Sequence, residues 1–527
     1  MSMKGLIALM TFSLFSFGLR AGERQMLWPE EKGAAYIEWY ESPAEDIRTG
    51  GCVILISGVN SHMEAFTRLG FQCVNLICQD SWQSGQRAVR MVRQQAEERG
   101  FDPEKIGVSS MSEGSYLALL LATGSQTVAY EGADAIDDIP CHINWAIINT
   151  TGLQSEVSCF DDRTCPVSLH HGGFDQNSST TTIQVYRKLR QNGIPAELHL
   201  YLDHESSCFD RGMEFLKQIG YMGVLEGEEE LMCRYADDGN RAIHIAQNVW
   251  PEGQTPDFNE HQCVPYIEWH IPDTLKTTAI QIIYSGGSYQ ENNPDGFEVA
   301  PMRRYLNEKG MAVVTLKYRT PRPVGLEKHI TAWQDLQRTI KLVRSQAAEK
   351  GLDPDRIGIM GSSAGGHLTL MGVTSSCSQS YPEVDDVDSL SCKVQWGVGI
   401  YPAYVLTDGV DGSNSNFGNF DENILVPEFA FDQDTAPMIF IHGDADGYSA
   451  MGSVRVWEKM ASMGIKSELH TLVHESHCFQ YNAFPGTGSY THMERVWEFL
   501  CAKVAAEPSC GGPGCKAGPA VFAHFFD

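Results

Sequence analysis

Gly361-Ser362-Ser363-Ala364-Gly365 lies between the apolar run Ile357-Gly-Ile-Met360 and a second apolar stretch, His367-Leu-Thr-Leu-Met371. A serine flanked by small residues at a sharp strand-to-helix turn presents its hydroxyl at the upper edge of a sheet. That hydroxyl attacks a carbonyl only if a base takes its proton and a third group fixes the base's tautomer. Candidates for both follow along the chain, in the order serine, acid, histidine. The run Pro437-Met-Ile-Phe-Ile441 ends in His442-Gly-Asp444-Ala-Asp446, so Asp446 is read as the acid and Asp444, nearer the strand end, as the second choice. Glu468-Leu-His-Thr-Leu-Val473 reads as one more strand and leads into His474-Glu-Ser-His477-Cys-Phe479. There His477, deeper in the loop, is preferred to His474 as the base. Such a trio implies acyl transfer through a covalent serine intermediate.

The negative charge that develops on the attacked oxygen needs backbone N–H donors, which favours glycine in a turn after an early strand. Ile282-Ile-Tyr284 leads into Ser285-Gly286-Gly287-Ser288, so the amides of Gly286, Gly287 and Ala364 are the expected donors. This chemistry requires no cofactor and no metal, and no Cys/His cluster has metal-ligand spacing.

These residues need a frame that brings strand ends together. In the second half the apolar runs 279–284, 312–317, 357–360, 396–400 and 438–441 alternate with helical segments. That alternation predicts crossover units, hence a mostly parallel sheet covered by helices on both faces, with ligands bound beyond the carboxyl ends of the strands. The pattern also occurs twice. Arg87 to Gly107 (RAVRMVRQQAEERGFDPEKIG) matches Arg338 to Gly358 (RTIKLVRSQAAEKGLDPDRIG) without a gap, and Tyr36-Ile-Glu-Trp39 recurs as Tyr266-Ile-Glu-Trp269. Gln25-Met-Leu-Trp-Pro-Glu recurs as Gln247-Asn-Val-Trp-Pro-Glu, and Cys141 to Trp145 parallels Cys392 to Trp396. A repeat of this length implies a tandem duplication. The expected boundaries are a leader over 1–21, a first domain over 22–223, a linker over 224–262, a second domain over 263–505 and a Gly/Pro/Cys-containing tail over 506–527.

Composition agrees with two globular domains. The chain has 527 residues, of which 42% are hydrophobic and 20% charged, more than one core ordinarily organises. A formal net charge of −28 argues against a nucleic-acid partner, since phosphate binding needs a basic face. Lys4, the apolar run 5–17 and the small residues Gly18 and Ala21 read as a secretory signal peptide. A secreted or periplasmic location is therefore expected, without a stable membrane span. Fifteen cysteines in an exported chain suggest disulfides whose pairing the spacing leaves open, and the oligomeric state is equally open.

The second half resembles the acetyl xylan esterase and feruloyl esterase-like branch of the α/β-hydrolases, related to the hormone-sensitive-lipase-type esterases. The resemblance is carried by Ser285-Gly-Gly-Ser288, Lys317-Tyr-Arg-Thr-Pro321, Trp333-Gln-Asp335, Asp353-Pro-Asp-Arg-Ile357, Gly361-Ser-Ser-Ala-Gly-Gly-His367, His442-Gly-Asp-Ala-Asp446 and His477-Cys-Phe479. It implies a fold of class α/β, here two tandem α/β-hydrolase domains, and an exported serine esterase acting on acetyl or feruloyl esters of polysaccharides. The expected partner is thus an acylated polysaccharide or oligosaccharide. Ser285 and Ser288 depart from the family's usual residues around the glycine pair. A serine peptidase of the prolyl-oligopeptidase kind shares the triad order, and a non-catalytic glycan-binding protein on the same fold is the third alternative.

Carried back through the repeat, the elbow of the first half reads Ser110-Met-Ser112-Glu-Gly114, with Ser110 in place of the first glycine. Asp175 occupies the acid position, but Ser207 stands where His477 stands in the second half. The first half is therefore expected to be a degenerate copy, Ser112 having no evident base.

Overall fold

The computed structural model describes residues 23–28, 35–40, 50–56, 60–78, 82–124, 126–150, 153, 159–173, 176–202, 208–223, 246–376, 378–407, 424–481 and 487–504. The expected leader and tail lie outside them, as do Asp175 and Ser207.

In the first half, strands run over Arg24–Met26 (β1), Tyr36–Tyr40 (β2), Cys52–Ile56 (β3), Gln72–Ile77 (β4), Ile106–Met111 (β5), Trp145–Thr150 (β6), Val167–His171 (β7) and Ala196–Leu200 (β8). In the second they run over Gln247–Asn248 (β9), Tyr266–His270 (β10), Ile280–Tyr284 (β11), Ala312–Lys317 (β12), Ile357–Ser362 (β13), Trp396–Ile400 (β14), Met438–Gly443 (β15) and Glu468–Leu472 (β16). All sixteen join one sheet in the order β1-β2-β4-β3-β5-β6-β7-β8-β16-β15-β14-β13-β11-β12-β10-β9. Each half thus repeats one strand order, antiparallel at its outer edge and parallel inward. The halves meet where β8 pairs antiparallel with β16, Leu200 opposite Leu469 and His199 opposite His470.

Apolar runs without alternation form strands buried on both faces. In β3, Cys52, Ile54 and Ile56 enter one core cluster while Val53 and Leu55 enter the cluster on the opposite face. The first of these clusters continues into the second half through Ile280, Ile282 and Tyr284. The helices Trp82–Gln94 and Ile330–Ala347 run into the matched segments, and each is followed by a short helical turn, Ala96–Arg99 and Ala348–Lys350, capped by a glycine in the left-handed region, Gly100 and Gly351, both with φ of 72°.

The linker expected over 224–262 is ordered with the second half from residue 246 onward. There β9 pairs with β10, and the Trp250 indole donates to Asp335 at 2.7 Å. Asp335 also accepts from Arg319 Nε at 2.9 Å, an ion pair with both side chains fully buried. Burying such a pair is tolerable only when the remaining donors are satisfied. Arg319 meets that condition by donating to the carbonyls of Pro256 and Thr331 and to the Gln334 side chain. Among the described residues no helix is long and apolar enough to cross a membrane.

Candidate active site

Strand β13 ends at Ser362, and the helix Ala364–Thr374 begins at once, with Ser363 between them at φ 54°, ψ −120°. An L-residue at positive φ is strained and persists only where its surroundings dictate it. Glycines supply the necessary closeness: a Cβ on Gly361 would lie 2.4 Å from the Gly365 carbonyl oxygen, and one on Gly365 would lie 2.7 Å from that of Ser285. Ser363 is 6% exposed.

The structure brings the preferred trio together from three strand ends. Ser363 Oγ lies 2.8 Å from His477 Nε2, and His477 Nδ1 lies 2.8 Å from Asp446 Oδ2 and 3.0 Å from Oδ1. Asp446 is fully buried. It also accepts the Tyr448 amide N–H at 2.7 Å and faces His442 Nε2 at 3.2 Å. Burial alone raises the pKa of a carboxyl, but here hydrogen bonds from His442 and His477 outweigh it and hold Asp446 at about 2. The carboxylate is therefore ionised throughout the neutral range and able to stabilise a proton held on the ring beside it.

The two second-choice residues serve elsewhere. Asp444 pairs with Arg190 of the first half at 2.9 Å; burial pushes its carboxyl up to about 7 despite that partner. His474 is exposed on the turn after β16.

The expected oxyanion loop is present, but one of its assigned donors is not available. The Gly286 N–H donates to Glu298 Oε2 at 2.7 Å, so that amide is already committed. Glu298, which the sequence did not single out, is a buried carboxylate that also accepts the Tyr401 hydroxyl at 3.0 Å. The Tyr318 hydroxyl donates to the carbonyls of Ser285 and Gly286 at 3.0 and 2.9 Å. With those carbonyls fixed, the chain turns through positive φ at Gly287 (95°), Ser288 (55°) and Tyr289 (59°). A Cβ on Gly286 would meet Ser363 Cβ at 2.6 Å, which places the loop directly against the serine. With the Gly286 amide engaged, the amides of Gly287 and Ala364 remain of the three expected donors.

In the first half Ser112 keeps the positive φ, 50°, but is exposed. A 3-10 turn over Ser112–Gly114 intervenes before the helix Ser115–Thr123.

The sequence pointed to no metal. The fold nevertheless gathers His329, His367 and Glu428, with one ligand atom from each lying within 4.8 Å of the others. Separations of 38 and 61 residues along the chain give no spacing signal by which this group could have been found.

Fold and site together define an α/β-hydrolase whose strand-to-helix elbow carries a serine. Within that class, residues 269–454 match the BD-FAE family. The chain is 26% identical to the probable carboxylic ester hydrolase LipM of Mycobacterium tuberculosis over 274 residues, 48% of this chain and 60% of that protein. It is 31% identical to an acetylxylan esterase of Xylanibacter ruminicola over 105 residues, 19% of each. The chain therefore spans three-fifths and about one-fifth of these two relatives. Among solved structures, the acetyl ester-xyloside bifunctional hydrolase from Caldicellulosiruptor lactoaceticus is 22% identical, with 49% of this chain and 96% of that one covered and a TM-score of 0.40. Thermogutta terrifontis esterase 2 is also 22% identical, with 51% and 98% covered and a TM-score of 0.41.

Proposed function

We propose that the protein is an exported carboxylic ester hydrolase that removes acyl groups, acetyl or feruloyl in type, from polysaccharides. Its second half carries the reaction and its first half is a duplicated, non-catalytic copy that packs beside it or binds glycan. The single observation behind this reading is the pair of 2.8 Å contacts from Ser363 Oγ to His477 Nε2 and from His477 Nδ1 to Asp446. A nucleophile, a base and an acid in hydrogen-bonded series are what acyl transfer needs. The relatives named for ester hydrolysis and for acetylxylan support the bond type and the substrate class.

In this mechanism His477, its Nδ1–H held by Asp446, accepts the Ser363 proton at Nε2 as Oγ adds to the ester carbonyl. The amides of Gly287 and Ala364 stabilise the oxyanion. His477 then returns the proton to the leaving sugar hydroxyl, and water, deprotonated by the same ring, releases the acid from Ser363. The test is labelling with a fluorophosphonate probe, alongside acetate and ferulate release from acetylated xylan, feruloylated arabinoxylan and a p-nitrophenyl ester. Labelling lost in Ser363→Ala together with release of one of these acids is expected. Labelling that survives the substitution would refute the nucleophile, and release of none of the acids would refute the substrate class.

A further inference from the structure

We propose that His329, His367 and Glu428 form a binding site for one zinc-class divalent transition-metal ion, fastened to the back of the oxyanion loop. His367 lies one helical turn beyond Ser363, His329 immediately precedes the helix Ile330–Ala347, and Glu428 lies on the segment that precedes β15. His367 Nε2 is 3.3 Å and His329 Nδ1 is 3.9 Å from Glu428 Oε1. Metal bonds of about 2.0–2.2 Å at tetrahedral to trigonal angles place donor atoms roughly 3.3–3.8 Å apart; both separations to Glu428 are close to that range, and all three donor atoms lie within 4.8 Å of one another.

A second observation points to a missing ligand. His329 is 5% exposed, and its Nδ1 is buried with no hydrogen-bond partner among the described residues. A buried polar atom left unpaired is destabilising, and a cation at this point removes that cost. Two neutral imidazoles and one carboxylate suit zinc, cobalt or nickel, whereas calcium and magnesium require oxygen ligands.

The surroundings are those of a metal centre. His367 Nδ1 lies 2.9 Å from the Tyr289 hydroxyl, the outer partner that fixes ring orientation in such sites. Tyr289 directly follows Ser288, so the ion would clamp the oxyanion loop to the helix that starts at the serine. Ser375 Oγ secures the Glu428 segment, donating to the Glu428 carbonyl at 3.0 Å and accepting the Ala430 amide at 3.2 Å.

The experiment uses the full chain, stripped with a chelator and with its thiols blocked. Equilibrium dialysis against Zn²⁺ should give one equivalent per chain, and Ca²⁺ and Mg²⁺ should give none. Co²⁺ should produce visible d–d bands without the near-ultraviolet charge transfer that sulfur ligation adds. His329→Ala and Glu428→Gln should each lose the equivalent, and Tyr289→Phe should weaken it ~10–100-fold, as outer-partner changes do. Wild-type protein that shows no d–d bands with Co²⁺ would overturn the proposal whatever the variants do. So would a zinc equivalent retained in both His329→Ala and Glu428→Gln.

Discussion

The two elbows of this molecule differ more than the frames that carry them. In the frame, corresponding residues make corresponding contacts. Arg87 binds Asp134 and Asp137 at 2.6 and 3.0 Å, and Arg338 binds Asp385 and Asp388 at 2.6 and 3.0 Å. Each aspartate pair closes a capping box. Gly107 lies under Trp145 and Gly358 under Trp396 so closely that a Cβ on either glycine would sit 1.9 Å from the indole. At the elbows this agreement ends. Gly361 leaves room for the Gly365 carbonyl, whereas the first half has Ser110, whose buried hydroxyl has no partner among the described residues. One serine is enclosed beside an imidazole and the other faces solvent. Packing constraints act on every residue of a buried sheet, but nothing in the frame requires both elbows to be closed.

The sharpest way to break that contrast is to remove each serine in turn. Ser363→Ala should lower turnover of a p-nitrophenyl ester by at least about 10⁴-fold, as loss of a nucleophile does elsewhere. Ser112→Ala should leave steady-state kinetics unchanged. A comparable loss from Ser112→Ala would show the first elbow to be active. Next comes the choice between the two aspartates. Asp446→Asn should lower kcat about 10⁴-fold by admitting the wrong histidine tautomer. Asp444→Asn should instead leave kcat within severalfold and lower the melting temperature, because Arg190 loses its buried partner at the junction of the halves.

A third test concerns stability. The indole N–H of Trp250 is anchored on the Asp335–Arg319 pair, while that of Trp28, its counterpart in the first half, donates to Ser84 Oγ at 3.4 Å. Asp335→Ala leaves Arg319 buried and uncompensated and should cost about 3–5 kcal/mol in urea unfolding. Ser84→Ala removes one long hydrogen bond and should cost no more than about 1 kcal/mol. Equal costs would mean that the two halves hold their first tryptophan in the same way.

Much of this was legible because it follows from local order along the chain. Strands β11 to β16 of the second half were readable as apolar runs within two residues of their ends, though β9 and β10 were not, and Ser363, Asp446 and His477 could be chosen because each lies just after a strand. The donors of the oxyanion loop were not readable to the residue. Gly286 was favoured for its lack of a side chain, but its amide is taken by Glu298, a carboxylate twelve residues away that the chain folds back to deliver. Nothing near Glu298 in sequence announces this, because its role depends on burial beside Tyr401. The same holds for His329, His367 and Glu428, which only the tertiary fold brings together. Within the expected linker, Gly253 and Pro256 lie in turns and loop, and the Pro256 carbonyl accepts a hydrogen bond from the buried Arg319, a contact that only the folded chain reveals.

The last expected effect is a dependence on pH carried by a buried histidine of the second half that has no counterpart in the first. His492 is buried, its Nδ1 donating to the Ser489 carbonyl at 2.7 Å and its Nε2 facing the Gln480 amide nitrogen at 3.1 Å. The corresponding position in the first half, by the match of Glu214-Phe-Leu216 to Glu498-Phe-Leu500, is Cys208. Burial lowers the His492 pKa to about 4, against about 6.5 for an unfolded histidine. Because the folded value is the lower one, the unfolded chain takes up the proton first on acidification. The contribution of the neutral ring is fully present above about pH 6.5 and is lost as pH falls toward 4, by up to about 3 kcal/mol. Protonating Nε2 would also set two donors against each other and release Gln480 from its place beside Ser362 and Tyr401. Other buried groups titrate over the same range, so the informative quantity is a difference. The urea-unfolding free energy of wild type minus that of His492→Gln should be constant above pH 7 and should fall by about 3 kcal/mol between pH 6.5 and 4. A difference that stays flat across that interval would mean that the histidine enters the folded state already charged.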